Sequence, residues 1–371
     1  MFKNTKTIHS GTQLSNEDAG VNTPIFPSTA HRFISGDDIG YPRYLSTTNQ
    51  LVVCEKMAAL EETEDALVFG SGLAAIGHPL MALLEKGDIL WVQDDIYGGT
   101  RNFIKNQLEP RGIITQWFPI GSFPTGENPK LIYFETPTNP VVRIQSIKDV
   151  VKKAKEVGAI SMVDNTFATP INQTPATMGV DLIAHSGTKY LGGHSDLIFG
   201  VICGSKELMD RIKPMHIDMG SCINGNTAWM IERSLKTLAI RMEKHNENAQ
   251  FIAEQLCDLE FAKNVGYPGL KTHTSHSIAC EQMTGFSGIV SFDLVGATVD
   301  DFAKKLRLFM PAISLGGIES LLSIPTRTSH KSLTPQELDR MGITGQTLRL
   351  SVGIEDKRDL IEDLKSAFFT L

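Results

Sequence analysis

Three short stretches carry side chains whose chemistry goes beyond what packing asks. Lys189 lies in Ala184-His185-Ser186-Gly187-Thr188-Lys189-Tyr190-Leu191-Gly192-Gly193-His194, among small and hydroxylic residues and just after an apolar run that reads as a strand. A lysine that attacks an aldehyde needs a partly desolvated setting, so that its amine is neutral, and hydroxyls nearby can hold a phosphate handle. Asp164, in Met162-Val163-Asp164-Asn165-Thr166, closes an earlier strand pattern, at the carboxyl end where α/β sheets gather ligands. A carboxylate there would keep a pyridine nitrogen protonated and make the ring an electron sink. Tyr97, in Asp94-Asp95-Ile96-Tyr97-Gly98-Gly99-Thr100, would stack on the face of that ring.

Other chemistries compete for the same residues. Gly70-Ser71-Gly72-Leu73-Ala74-Ala75 follows a strand pattern, opens a helical one and matches the dinucleotide fingerprint, with Asp94 about 20 residues on. Its minimal content is a Gly-rich turn whose free N–H groups and positive dipole end hold a phosphate of any kind. Read as the site of an NAD-dependent oxidoreductase, it leaves Lys189, Asp164 and Tyr97 unexplained. Ser186-Gly187-Thr188-Lys189 is formally the S-x-x-K of serine acyl-transferases, but Ser195-Asp196-Leu197 fails the accompanying S-D-N and no K-T-G occurs. His185, His194 and Asp196 invite a metal, yet the lysine motif already accounts for their clustering, and none is expected.

The elements that position these residues alternate. Strand patterns at 66–69, 89–92, 113–118, 131–134, 160–163, 182–184 and 200–203 are interleaved with helical patterns at 73–84 and 146–157. That alternation predicts a mostly parallel, buried sheet covered by helices. Residues 1–50 show no sustained periodicity and read as an arm, followed by a cofactor-binding domain over 51–225. Ala228, Ile231, Leu235, Leu238, Met242, Ala249, Ile252 and Leu256 then recur at helical spacing, which predicts one long helix bridging into a C-terminal domain over 226–371. There 288–294 and 348–352 read as strands, with helices near 300–308 and 356–368, an α+β layer.

With 371 residues, 41% hydrophobic and 21% charged, the chain has an ordinary globular composition, which excludes fibrous and disordered classes. A net charge of −7, with no block of basic residues, gives no footprint for nucleic acid. No run of about 18 apolar residues occurs, so no membrane partner is expected, and the polar start Met1-Phe2-Lys3-Asn4-Thr5-Lys6 fits a cytoplasmic protein. Five scattered cysteines without a C-x-x-C suit reduced thiols.

The motifs Ser71-Gly72-Leu73-Ala74-Ala75, Asp95-Ile96-Tyr97-Gly98-Gly99-Thr100, Glu135-Thr136-Pro137-Thr138-Asn139-Pro140, Val163-Asp164-Asn165-Thr166-Phe167, the run from Ser186 to Asp196, Ser314-Leu315-Gly316-Gly317-Ile318-Glu319-Ser320-Leu321 and Arg349-Leu350-Ser351-Val352-Gly353-Ile354-Glu355 span the chain. In these it resembles the pyridoxal-phosphate enzymes of cysteine and methionine metabolism, the family of cystathionine γ-synthase, the cystathionine lyases, methionine γ-lyase and O-acetylhomoserine sulfhydrylase. The resemblance implies the type I fold of PLP-dependent transferases, with a mostly parallel large domain and a smaller α+β C-terminal domain. It implies that Lys189 holds pyridoxal 5'-phosphate as a Schiff base, that Asp164 pairs with the pyridine nitrogen and that Tyr97 stacks on the ring. Gly72 and Leu73 would give N–H groups, and Ser186 and Thr188 hydroxyls, to the phosphate. Tyr41 and Arg43 match a Y-x-R that reaches the phosphate in a neighbouring subunit, so the homo-oligomer is at least a dimer, with a tetramer expected. Arg349 would take the carboxylate of an amino-acid substrate, with Ser314 and Asn139 beside it.

The expected activity is elimination or replacement at Cγ of a sulfur amino acid or O-acylhomoserine, as in cystathionine γ-synthase and γ-lyase. Methionine γ-lyase, cystathionine β-lyase and O-acetylhomoserine sulfhydrylase chemistry stand as alternatives. A non-enzymatic protein on the same fold is a third class. Three departures from the family pattern stand out. Tyr41-Pro42-Arg43 leads into Tyr44-Leu45-Ser46-Thr47 rather than G-N-P-T. Residues 119–129 are too short for the small helix that relatives carry there. Ile313 stands where γ-synthases and many γ-lyases have Glu and one β-lyase group has Tyr, and an apolar side chain cannot bind the distal ammonium of cystathionine.

Overall fold

The computed structural model describes residues 1–13, 20–31, 40–331 and 333–370. Its first sheet takes strands β1 (Asp65–Phe69), β2 (Ile89–Gln93), β3 (Ile114–Phe118), β4 (Leu131–Glu135), β5 (Ile160–Asp164), β6 (Leu182–Ser186) and β7 (Gly200–Gly204) in the order β1-β7-β6-β5-β4-β2-β3. β2, β3, β4, β5 and β6 run parallel, while β7 is antiparallel to both its neighbours, β1 and β6. All five residues of β2 and of β4 are buried, as strands covered by helices on both faces require. The second sheet orders β8 (Ala262–Gly266), β9 (Ile289–Leu294), β10 (Met310–Pro311), β11 (Leu321–Ser323) and β12 (Thr347–Ser351) as β10-β11-β12-β9-β8. This is the mostly parallel α/β arrangement with a smaller α+β layer that the alternation predicts.

The helices are α1 (Lys3–His9), α2 (Thr48–Glu61), α3 (Gly72–Leu83), α4 (Gly98–Phe103), α5 (Ile147–Val157), α6 (Thr169–Asn172), α7 (Lys206–Met219), α8 (Gly225–Leu235), α9 (Leu238–Cys257), α10 (His276–Gln282), α11 (Val299–Lys305), α12 (Pro335–Arg340) and α13 (Lys357–Phe369). Local chemistry sets their ends. Ser71 caps α3 by accepting from Ala74 N–H, Ser146 caps α5 through Asp149 N–H, and Gly158 closes α5 in the left-handed region. Residues 119–129 form neither helix nor strand.

The single long helix expected after residue 225 is two helices. At the break the Ser234 carbonyl accepts from the Thr237 amide and hydroxyl and from the Arg241 guanidinium. Local Ser/Thr hydrogen bonds of this kind compete with the helical ladder. The apolar stripe survives the break and serves two cores: Ala228 to Met242 pack into the core of the first sheet, and Ala249 to Leu256 into that of the second.

Candidate active site

The loops after β1, β4, β5 and β6 meet the 312–316 loop and β12 around one cavity of about 670 Å³. Ten residues singled out in the sequence line it: Gly72, Leu73, Tyr97, Asn139, Asp164, Ser186, Thr188, Lys189, Ser314 and Arg349. Tyr41 and Arg43 do not join them. Arg43 donates to the Ile217 carbonyl at 3.0 Å and lies over the Tyr44 ring, and Tyr41 is exposed.

Lys189 Nζ donates to Ser314 Oγ at 2.8 Å. Burial, with the Arg349 cation beside it, pushes the amine down to about 8, against the opposing pull of Asp164. Ser314 itself sits in the left-handed region, φ 80°, which turns its hydroxyl toward the lysine and its carbonyl toward Arg349. Arg349 is buried on β12 between Ser323 and Ser291. It donates from Nη1 to Asn139 Oδ1 at 2.9 Å and from Nη2 to the Ser314 carbonyl at 2.8 Å. Burial lowers its pKa to about 10, still a cation at neutral pH. Its Nε has no partner among the described residues, so the guanidinium keeps donor capacity for a carboxylate.

Asp164 closes β5 and is 6% exposed. Burial raises its pKa, while hydrogen bonds from Thr166, at 3.0 Å from the amide to Oδ1, and the charges of His185 and Lys189 oppose that shift. Directly across the ladder Glu135 closes β4, in register with Asp164. Burial and the facing Asp164 push Glu135 well above the usual carboxylate range, and it accepts from Tyr97 N–H at 2.8 Å. Burial thus raises both of these facing carboxyls, Glu135 with the added push of the Asp164 charge. The sequence reading passed over Glu135, although it carried the same signal as Asp164: an acidic residue at the carboxyl end of an apolar strand.

A second missed pair lies behind the site. His185 Nε2 meets Glu61 Oε1 at 2.5 Å, both fully buried. Asn165 Nδ2 donates to the same oxygen at 2.8 Å and takes Gln173 Nε2 on its own Oδ1 at 2.8 Å. This network ties α2 to the loops that carry Asp164 and Lys189. Glu61 gave no signal, because its partners are distant in sequence.

The N-terminus of α3 forms the far end of the cavity. A Cβ on Gly72 would lie 2.6 Å from Ser186 Cβ, so only glycine lets the first turn of α3 approach the Ser186 hydroxyl. First-turn amides such as those of Gly72 and Leu73 have no helical partner, and with the Ser186 and Thr188 hydroxyls on the same cavity wall they have the donor chemistry that can cradle a phosphate.

A model of the Cys/Met metabolism PLP-dependent enzyme family matches residues 4–369. The chain belongs to that family. It is 38% identical over 375 residues to a cystathionine beta-lyase of Lactococcus lactis subsp. cremoris, covering 98% of each chain. Over 377 residues it is 38% identical to a cystathionine gamma-lyase of Bacillus subtilis, covering 99% of each. The solved structure of a cystathionine gamma synthase from Xanthomonas oryzae pv. oryzae in complex with cystathionine matches with a TM-score of 0.94 at 33% identity, covering all of both chains. This Cys/Met metabolism enzyme therefore works with pyridoxal phosphate, and its cavity fits that cofactor. A lysine amine, a buried carboxylate, an aromatic ring and an anion cradle all open into one space.

Proposed function

We propose that this Cys/Met metabolism enzyme catalyses elimination or replacement at Cγ of a sulfur amino acid or an O-acylhomoserine. The observation that carries the reading is Lys189, whose amine is lowered to about 8 and held only by a hydroxyl in the same cavity as Asp164 and Tyr97. When bound, pyridoxal phosphate supplies the electron sink for the pair released at Cα. Lys189 would hold the cofactor and then take the Cα proton on Nζ; departure at Cγ needs a second proton removed at Cβ, which the same amine can reach by swinging. Asp164 would keep a proton on the pyridine nitrogen, and Tyr97 would cover the ring. Gly72, Leu73, Ser186 and Thr188 would hold the phosphate. Arg349, aimed by Asn139 and Ser314, would take the substrate carboxylate.

Within the same proposal, residues 51–225 form the cofactor-binding domain and 226–371 the C-terminal one. Tyr41 and Arg43, off their own cavity, complete the phosphate site of a neighbouring copy in a dimer or tetramer. Among the described residues no helix is long and apolar enough to cross a membrane, in keeping with a cytoplasmic enzyme.

The second reading is elimination at Cβ, which the name of the Lactococcus relative favours. The test is turnover of cystathionine, cysteine, homocysteine, methionine and O-acylhomoserines with pyruvate and 2-oxobutyrate counted separately. The γ reading expects 2-oxobutyrate from γ-substituted substrates, and pyruvate as the only keto acid overturns it.

A further inference from the structure

We propose that Arg327 is a specificity residue that selects substrates whose γ-substituent ends in a carboxylate. The inference deepens the proposed γ-chemistry and rests on it. Glu135, Asp164, Lys189 and Arg349 are the ionisable groups of the inner cavity, and each has a hydrogen-bond partner there. Arg327 also lines the cavity, but it is exposed, on the turn Pro325–Arg327 that leaves β11. Ile313, 75% exposed, lines the same cavity and follows β10, the strand that pairs with β11. β10 and β11 run parallel, and Ala312 N–H donates to the Leu322 carbonyl at 3.0 Å, so the segments carrying Ile313 and Arg327 leave the same end of the second sheet.

The Arg327 guanidinium is parked on a carboxylate. It makes a two-point contact with Asp300, Nη1 to Oδ1 and Nη2 to Oδ2, the latter at 3.1 Å. Asp300 belongs to the first turn of α11 and is not part of the cavity wall among the described residues. The two side chains are 52% and 55% exposed, and an ion pair so wetted contributes little on its own. Exchanging Asp300 for a substrate carboxylate of the same fork geometry is therefore close to neutral, and the substrate gains a bidentate partner without leaving a buried charge behind. With an apolar side chain at Ile313, the rim offers this cation to an anionic terminus, and the acids among the described lining residues, Glu135 and Asp164, belong to the inner cavity. Arg349 at the inner end and Arg327 at the rim then suit an amino acid with a carboxylate at each end.

The holoenzyme is titrated with L-2-aminosuberate and L-2-aminooctanoate, equal in length and differing in the terminal carboxylate, following the cofactor's visible absorbance. The expected preference for the diacid is about 3- to 20-fold, the range for one charge-assisted contact near solvent. Arg327→Met collapses this ratio and Asp300→Asn, which frees Arg327, widens it. In parallel, the kcat/KM ratio of O-succinyl- to O-acetyl-L-homoserine falls in Arg327→Met, mainly through KM. A binding ratio that stays within about twofold of wild type in both variants overturns the role of Arg327. If the binding ratio moves as expected while neither ester turns over, Arg327 stands and the γ-replacement reading fails.

Discussion

The proposed mechanism rests most heavily on single atoms of Lys189 and Asp164. If Lys189 holds the cofactor and moves the protons as proposed, Lys189→Ala should lower turnover on the order of 10² to 10⁴ or more. Borohydride should then no longer fix the cofactor to the chain; near-normal turnover would refute the assignment. Asp164 and Glu135 are facing carboxyls that burial raises, Glu135 with the added push of the Asp164 charge. In the proposed roles Asp164→Asn removes the carboxylate that would keep the pyridine nitrogen protonated, so activity should fall far more than cofactor content. Glu135→Gln keeps an oxygen that can accept from Tyr97 N–H in place of a carboxyl whose pKa burial and Asp164 raise, and its loss should be much the smaller. Measuring kcat and cofactor absorbance for both variants decides this, and equal losses would mean that Glu135 does more than hold Tyr97. Asp164, Ser186, Lys189 and Gly72 were legible because each stands at a strand end or in a short turn rich in small residues, where side chains have little packing to do, whereas Arg349, in the middle of β12, was legible only through its motif. Arg327 was not, because nothing local marks an arginine that faces a cavity built from distant strands.

The junction between α8 and α9 shows the corresponding limit for elements. The spacing of apolar residues places a helical stripe from Ala228 to Leu256 correctly, and the ends of the other expected strands and helices differ by a residue or two, except that α11 stops at Lys305 where the pattern runs to 308. The break escapes that pattern because it depends on Arg241, which is 4% exposed. Arg241 donates to the Tyr190 carbonyl at 2.6 Å and the Ser234 carbonyl at 3.0 Å, with a longer contact to Leu191. A helix interruption stabilised from another segment leaves no trace in periodicity. Because this guanidinium satisfies carbonyls in the stretch that follows Lys189, Arg241→Met should destabilise the fold by about 2–4 kcal/mol, the cost of leaving such groups buried and unpaired. Urea unfolding would read this, and a loss under about 0.5 kcal/mol would show that water replaces the arginine. Gly193 supports the same contact: its φ is +71° and a Cβ there would lie 2.0 Å from Arg241 Nη1.

Across the whole molecule, acid sensitivity and folding order both follow from what is buried. Burial holds His216, His245 and His330 at about 4, below the ordinary 6.5. The unfolded chain therefore binds more protons than the folded one between pH 6.5 and 4, so stability is full above that window and is lost as pH falls through it. His216 is fully buried against Phe69, ring centroids 4.7 Å apart, with neither ring nitrogen bonded among the described residues. His216→Phe keeps that packing and should flatten the slope of unfolding free energy by about 1.4 kcal/mol per pH unit within the window. An unchanged slope in urea melts at pH 4.5 to 6.5 would exclude it. The reversed strand β7 bears on the order of assembly. Among the described residues β1 pairs only with β7, joining Asp65 to Gly204 and Phe69 to Gly200, the widest sequence separation in its sheet. Closing so long a loop is slow relative to the neighbouring pairings. Since α3 hangs from β1, a refolding chain should assemble its lysine loop before its phosphate cradle, and the capacity to capture cofactor should arrive last.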